Sequence, residues 1–544
     1  MIKRMFKWLY DLMSSPSFIY IFVLNLVANS LSYVYFKDSI ACVSFVLLSA
    51  IITFFEIVLV NAFSRITWLK QLLFYSVIIF SNVLILTDIF LIKEFNLLFG
   101  EDVINIIADT NTTEASNFIS TYFSLSNITI IIGLIIGINL VALLCSRFFS
   151  KVKYIGVINV ILCIGGILLS GYCIYNQKVY GSGLGIPQYS AVTRYAHSGY
   201  LLNRRGQEII KLQKVCQNVN ATSTVTDDRK IILVIGESYS IYHSSLYNYD
   251  LPTTPLLNNL KEKGEIFVFE NAITPFNATH ATMEEIFSTK EFSTSPLFPC
   301  CFKKAGYFTH LSENQYSLGS SLNFLSDEIL SNLMFSERID YMGGNDEKLI
   351  DSLCIDKGPA LYILHLQGQH YAYENRYPKE FRKFTKNDYN SQRWDDSQRE
   401  IIAHYDNATL YNDYVINKLI NKCRDLNACV IYISDHGEEI YDVRNYMGHG
   451  DAKGSKESLL RQIRIPFIIY VSEQFKNNNK NIVDKMGADL NIPISTKDIS
   501  HFLMGLSGVY CDDYNPTRDF LNEKYNRNKH RIVLKSIDYD TLVF

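Results

Sequence analysis

Long apolar runs separated by short polar ones fill the first third of the chain. Residues 17–36 carry no charge, and residues 40–61, 72–92, 128–145 and 154–175 are similar in length and apolarity. About 20 apolar residues of helix cross a bilayer. Five such runs in succession are poorly explained as buried core helices or as a cleaved signal peptide. The pattern therefore predicts an α-helical five-span transmembrane domain over residues 1–175. Basic residues fall at alternate ends of the spans: Lys3, Arg4 and Lys7 before the first, Arg65 and Lys70 between the second and third, and Arg147, Lys151 and Lys153 between the fourth and fifth. The positive-inside rule then places the amino terminus in the cytoplasm and everything after Tyr175 outside. The same alternation puts residues 93–126 outside. There Thr110 and Glu114, one helical turn apart, are expected either to hold an ammonium group at the bilayer surface or simply to line a solvated amphipathic helix. Glu56 and Asp88 lie within spans, where a carboxylate is costly, so each is expected to face a neighbouring helix, water or the interface.

Residues 176–230 change character, with Gly181, Gly183, Gly185, Pro187, several tyrosines and a polar run over 218–228, and read as an interfacial linker ending in a flexible joint. Residues 231–544 then alternate short β-rich runs (231–235, 266–273, 307–311, 360–366, 429–434 and 465–471) with helical patterns. The clearest of these helices spans 397–423, with apolar positions from Ile401 to Ile420. This alternation predicts a doubly wound α/β domain. In such sheets ligands bind beyond the carboxyl ends of the strands. Two runs end on chemistry: 231–235 leads into Gly236-Glu237-Ser238, and 429–433 into Ser434-Asp435-His436-Gly437-Glu438. Either alone is an ordinary loop. Together Glu237, Asp435 and His436 form a ligand set suited to zinc, and less well to manganese.

Composition narrows the function. A chain of 544 residues with a net charge of −3 has no basic footprint for nucleic acid, and its 11 cysteines follow no zinc-finger spacing. Cys423 and Cys429 flank a short loop and could pair in an oxidising space, and Cys300 or Cys301 could pair with Cys354; free thiols are the alternative. Thr279 and Thr282 fall at a helix start, where a threonine is commonly a cap but where an anion is also favoured. With a metal beside it, a threonine hydroxyl becomes a nucleophile at neutral pH. His370 and His449 lie just past strand ends, leaving phosphate binding, leaving-group protonation or a second metal open to them.

These motifs, in this order, resemble those of the membrane-anchored phosphoethanolamine transferases, which include the lipid A-modifying enzymes and belong to the alkaline phosphatase and sulfatase superfamily. The resemblance rests on Gly236-Glu237-Ser238, Thr279-x-x-Thr282-Met283, His365-x-x-Gly368-x-His370 with Arg376-Tyr377-Pro378, Tyr405-Asp406-Asn407, Ser434-Asp435-His436-Gly437-Glu438 and Gly448-His449-Gly450. It implies an alkaline phosphatase-like (sulfatase-like) periplasmic domain following the spans, in a multi-pass protein of the bacterial inner membrane. It implies zinc held by Glu237, Asp435, His436 and the nucleophilic Thr279, with a second zinc as an option. His370 and His449 would serve the phosphoryl group or acceptor, and Thr110 and Glu114 would help bind a phosphatidylethanolamine donor. Departures from the family pattern, such as Asn277 and Ala278 where the lipid A branch has a cysteine, leave the acceptor open among lipid A, core oligosaccharide or another glycan. A phosphoglycerol transferase of the lipoteichoic acid synthase type, or a catalytically silent membrane sensor, would be the alternative readings.

Overall fold

The computed structural model describes residues 2–36, 39–95, 98–100, 103–104, 107, 125–175, 190–315, 323–341, 343–450 and 455–543. Two compact units divide it, one within residues 1–204 and the other within residues 205–544. The first unit contains α1 (Ile2–Met13), α2 (Pro16–Phe36), α3 (Ser39–Ala62), α4 (Thr67–Phe95), α5 (Leu125–Phe149) and α6 (Ile155–Tyr175). Within α3 to α6, four stretches are long and apolar enough to cross a membrane, and α1 with α2, bent by 57°, supplies a fifth if the two are counted as one. The sequence predicts five spans; the structure gives four or five. Pro16, which lacks an N–H, starts α2 at the bend. The carboxylates inside the spans have partners. Asn25 donates to Thr53 at 3.0 Å and to Glu56 at 2.7 Å. Asp88 accepts from the backbone N–H of Phe99 at 3.1 Å and pairs with Arg194.

In the second unit, seven strands form one sheet: β1 (Lys230–Gly236), β2 (Ile266–Phe269), β3 (Phe308–Glu313), β4 (Glu337–Asp340), β5 (Ala360–His365), β6 (Ala428–Ser434) and β7 (Phe467–Val471). Their order is β2-β7-β6-β1-β5-β3-β4. Strand β1 is parallel to both β5 and β6, whereas β7 is antiparallel to its neighbours. The short polar strand β4 carries no apolar run, so sequence patterning misses it. Alternate residues of the central strands feed two cores: Ile231, Leu233, Ile235, Cys429 and Ile431 on one face, Ile232, Val234, Val430 and Tyr432 on the other. Burying each aliphatic side chain contributes about 1.5–3 kcal/mol, which offsets the cost of carrying carboxylates at the ends of these strands.

Two expectations are corrected. The second half of the linker is ordered: Ala191–Gln217 is a helix, α7, whose Ile209, Leu212 and Cys216 enter the core, and Ala221–Ser223 pairs with Val509–Cys511. Helical spacing of three apolar residues in a polar stretch supplies the buried face. The expected cysteine pairings also fail, because neither brings its partners to one place. Cys423, at the end of the long helix Asp396–Cys423, packs into the core on one face of the sheet, while Cys429 points from β6 into the core on the other. Successive strand residues face opposite ways, so loop length alone overstates their reach. Cys354 is exposed whereas Cys300 and Cys301 are buried.

Candidate metal centre and active site

The register of β1 against β6 pairs Gly236 with Ser434, so the residues that follow, Glu237 and Asp435, emerge side by side. Glu237, Asp435 and His436 are fully buried, with ligand atoms within 4.8 Å of one another. His436 Nε2 lies 3.2 Å from Asp435 Oδ2 and 3.3 Å from Glu237 Oε1. Thr279 opens α8 (Thr279–Phe287) and completes the group. Its hydroxyl donates to Glu237 Oε2 at 3.2 Å and lies 3.2 Å from His436 Nε2. The capping explanation does not apply to Thr279, because Ala278 holds the N-cap position. Thr282 is occupied differently, donating to the Phe276 carbonyl at 3.2 Å.

The surrounding backbone presents these groups with their free atoms turned inward. Asp435 Oδ1 accepts the backbone N–H groups of Ser238 at 3.1 Å and of His436 at 2.7 Å, while its Oδ2 is buried without a hydrogen-bond partner among the described residues. His436 Nδ1 meets the Gly437 carbonyl at 2.9 Å, so the proton sits there and the Nε2 lone pair faces the cluster. Gln315 donates to Glu237 Oε2 at 3.0 Å, and the Ser238 hydroxyl to Glu237 Oε1 at 2.9 Å. Burial and the neighbouring Glu237 carboxylate push the Asp435 carboxyl well above the usual range. Two buried carboxylates thus share one small space, an arrangement that a cation between them would stabilise. Ligand atoms arranged tetrahedrally around zinc at about 2.0–2.1 Å are about 3.3 Å apart, and the separations here are 3.2 and 3.3 Å. The residues fit zinc.

A further set of residues lies beside this group. His449 Nδ1 is 2.6 Å from Glu438 Oε2, and Glu438 Oε1 accepts the Tyr373 hydroxyl at 2.6 Å. The His449 and His436 rings stand 3.9 Å apart, and His436, Glu438 and His449 form a second group with metal-ligand spacing. His370 follows β5. Burial, helped by the charges of Arg376 and His449 and opposed by Glu237, pushes its imidazole down to about 4, so it is neutral at physiological pH. Thr110 and Glu114 lie outside the described residues.

Further residues position the site, and of these Asp346 stands outside the sequence motifs. Asp346 accepts the backbone N–H groups of Gln367 and Gly368, both at 2.9 Å, and so fixes the loop against Glu237. Gly368 has φ +47°, and a Cβ there would sit 2.8 Å from both the N and O of Glu237. Gly368→Ala is therefore expected to cost about 1–3 kcal/mol of stability and to lower zinc loading, read by thermal unfolding and metal analysis. On the long helix α9 (Asp396–Cys423), Tyr405 donates to the Ser238 carbonyl at 2.6 Å and accepts the Ser240 N–H at 2.7 Å. This clasp holds the turn in which Ser238 has φ +57°. The next residue, Asp406, pairs with His243 at 2.7 Å. Burial disfavours the His243 imidazolium, but Asp406 and Asp442 outweigh it and hold the pKa up to about 10. Because the folded value is raised, the stabilisation is complete below the unfolded pKa of about 6.5 and is lost as pH rises toward 10. The unfolding midpoint is expected to fall across that window, and His243→Gln should flatten the decline.

Comparison with known proteins agrees with this geometry. Residues 229–509, just over half of the chain, match the sulfatase family. Phosphoethanolamine transferase EptC of Escherichia coli (strain RS218) is 28% identical over 489 residues, covering 82% of each chain. The crystal structure of the C-terminal periplasmic domain of E. coli EptC in complex with zinc is 26% identical, with a TM-score of 0.52 over 60% of this chain and 97% of that one. The integral membrane protein lipooligosaccharide phosphoethanolamine transferase A from Neisseria meningitidis is 17% identical and shares the fold over 92% of this chain and 97% of its own, with a TM-score of 0.56. The chain belongs to the sulfatase family, and the relatives named above are phosphoethanolamine transferases.

Proposed function

We propose that this protein is a zinc-dependent phosphoethanolamine transferase. It takes the group from phosphatidylethanolamine and passes it, through a phosphoethanolamine ester on Thr279, to a glycolipid or glycan of the envelope such as lipid A or core oligosaccharide. One observation carries the reading: the Thr279 hydroxyl stands 3.2 Å from both Glu237 and His436, at the open end of a set of zinc-type donors. Glu237, Asp435, His436 and Thr279 would hold the ion, and when bound it supplies positive charge that stabilises the phosphoryl oxygens, worth several kcal/mol.

The chain's own residues account for the rest. Thr279 Oγ, its proton passing to the Glu237 carboxylate to which it donates at 3.2 Å, forms a bond to phosphorus as the bond to the diacylglycerol oxygen breaks, and that oxygen leaves with a proton. An acceptor oxygen then attacks the same phosphorus, and Thr279 is released with its proton restored. His449, held through Nδ1 by Glu438 with its ring 3.9 Å from that of His436, is the donor for the departing oxygen. His370, neutral at physiological pH, accepts the proton of the incoming hydroxyl. The amino terminus is cytoplasmic, residues 1–175 anchor the chain in the bacterial inner membrane, 176–230 link the two parts, and the catalytic residues of 231–544 lie on the periplasmic side with the donor lipid. Thr110 and Glu114 would receive the ethanolamine ammonium at the membrane surface.

Two measurements test the proposal. Purified protein incubated with phosphatidylethanolamine should release diacylglycerol and gain one phosphoethanolamine on the peptide carrying Thr279. Envelope lipids and glycans from cells with and without the gene should differ by the same group. Turnover without a covalent adduct on Thr279 would sink the two-step route, and unchanged envelopes would sink the transferase reading.

A further inference from the structure

Four thiols outside the active site gather on one side of the second unit. Cys216 lies in the last turn of α7, Cys300 and Cys301 are neighbours on the short helix Phe298–Lys304, and Cys511 ends the strand Val509–Cys511. The first three are essentially inaccessible, at 1%, 1% and 0% exposure, within one apolar core, and half-buried Cys511 packs against it. The strand pairing sets Cys511 opposite Ala221, five residues after Cys216. The Leu297 N–H, one turn before Cys300, points at Cys216 Sγ at 3.5 Å. Adjacent helical residues project about 100° apart, so Cys300 and Cys301 face different neighbours. Cys300 is the neighbour that most perturbs the Cys216 thiol, and Cys301 the one that most perturbs the Cys511 thiol, whose Sγ also points at Met504 Sδ at 3.8 Å.

We infer that Cys216–Cys300 and Cys301–Cys511 are two disulfide-forming pairs, which together staple α7 and an edge strand to the helix Phe298–Lys304. The pairing rests on this geometry alone and is independent of the transfer reaction. In each pair the neighbouring thiol favours one partner as the attacking thiolate: Cys300 lowers the Cys216 thiol, and Cys301 lowers Cys511. Each bridge forms by exchange with a small-molecule disulfide. The Cys511 thiolate attacks one sulfur of the oxidant and expels a thiolate; Cys301 then attacks Cys511 Sγ and expels the second. Two protein thiols lose two electrons and two protons, which appear as two thiols of the oxidant. Cys511 is accessible in the folded protein, so its pair closes quickly. Cys216 and Cys300 close before the core forms or during its opening. Four thiols can also hold zinc, but no three of these sulfurs converge as Glu237, Asp435 and His436 do among the described residues.

The test uses full-length protein in detergent, reduced and then exposed to oxidised glutathione, followed by alkylation and peptide mapping without reductant. Bridged peptides joining Cys216 with Cys300 and Cys301 with Cys511 are expected. Because Cys300 and Cys301 share a peptide, Cys300→Ser should keep only the Cys301–Cys511 link and Cys301→Ser only the other. Reduction of the doubly bridged protein should lower its unfolding midpoint by about 10 °C. Four alkylated thiols after oxidation, in folded protein and in protein refolded with the oxidant, would overturn the inference, as would a Cys216–Cys511 link. Thr279→Ala should form both bridges, so loss of transfer leaves this test intact.

Discussion

Replacing Thr279 by alanine is expected to lower phosphoethanolamine transfer at least about 10³-fold, since a covalent route has no substitute for its nucleophile. The fold should survive. Ala278, not Thr279, occupies the N-cap of α8, and the Thr279 side chain is only partly buried, so no helix cap and little packing is lost. Zinc binding should weaken without vanishing, because Glu237, Asp435 and His436 still converge. The informative comparison is with Thr279→Ser, which keeps an oxygen at the same position and should recover turnover to within about 10²-fold of wild type. Diacylglycerol release measured alongside zinc content and unfolding temperature separates the outcomes. A Thr279→Ala protein that is folded, zinc-loaded and fully active would remove Thr279 from the mechanism.

The strand ends carrying Glu237 and Asp435 are legible in the sequence because a buried strand is a continuous apolar run, and the polar residue that breaks it marks the sheet edge. What patterning does not supply is the register that sets Gly236 beside Ser434, or the distant residues that shape the site. Asp346 and Gln315 reach the site from loops beyond β4 and β3, and only three-dimensional closure brings Gln315 to Glu237 and Asp346 to the loop at Gly368. Glu438 is visible in the motif, yet its hold on His449 depends on the chain returning eleven residues later. The α7 helix and the cysteine pairings are misread for a related reason. Local composition marks 176–230 as polar and 423–429 as close, but burial depends on which face of the element meets the core. Glu56 and Asp88 are the converse case, where the cost of a carboxylate among apolar residues by itself requires the partners that Asn25 and Arg194 provide.

Removing zinc is expected to reverse the effect of a mutation at Asp435. In the metal-loaded protein, Asp435→Asn should lower both zinc affinity and stability, because an amide replaces an anionic ligand. In the metal-free protein the sign changes. Glu237 and Asp435 then lie within 4.8 Å with no ion between them, and burial beside Glu237 holds the Asp435 carboxyl well above the usual range, so the folded protein must keep it protonated where the unfolded chain ionises it, a cost to folding at neutral pH. The amide abolishes that cost and still presents an oxygen to the Ser238 and His436 N–H groups that Asp435 Oδ1 accepts. Unfolding midpoints of wild type and Asp435→Asn, with zinc and after chelation, form a two-by-two comparison. The variant should be the less stable of the two with zinc and the more stable without it. If Asp435→Asn is destabilising to the same extent in both states, Asp435 serves the fold through its hydrogen bonds and contributes no charge to a metal.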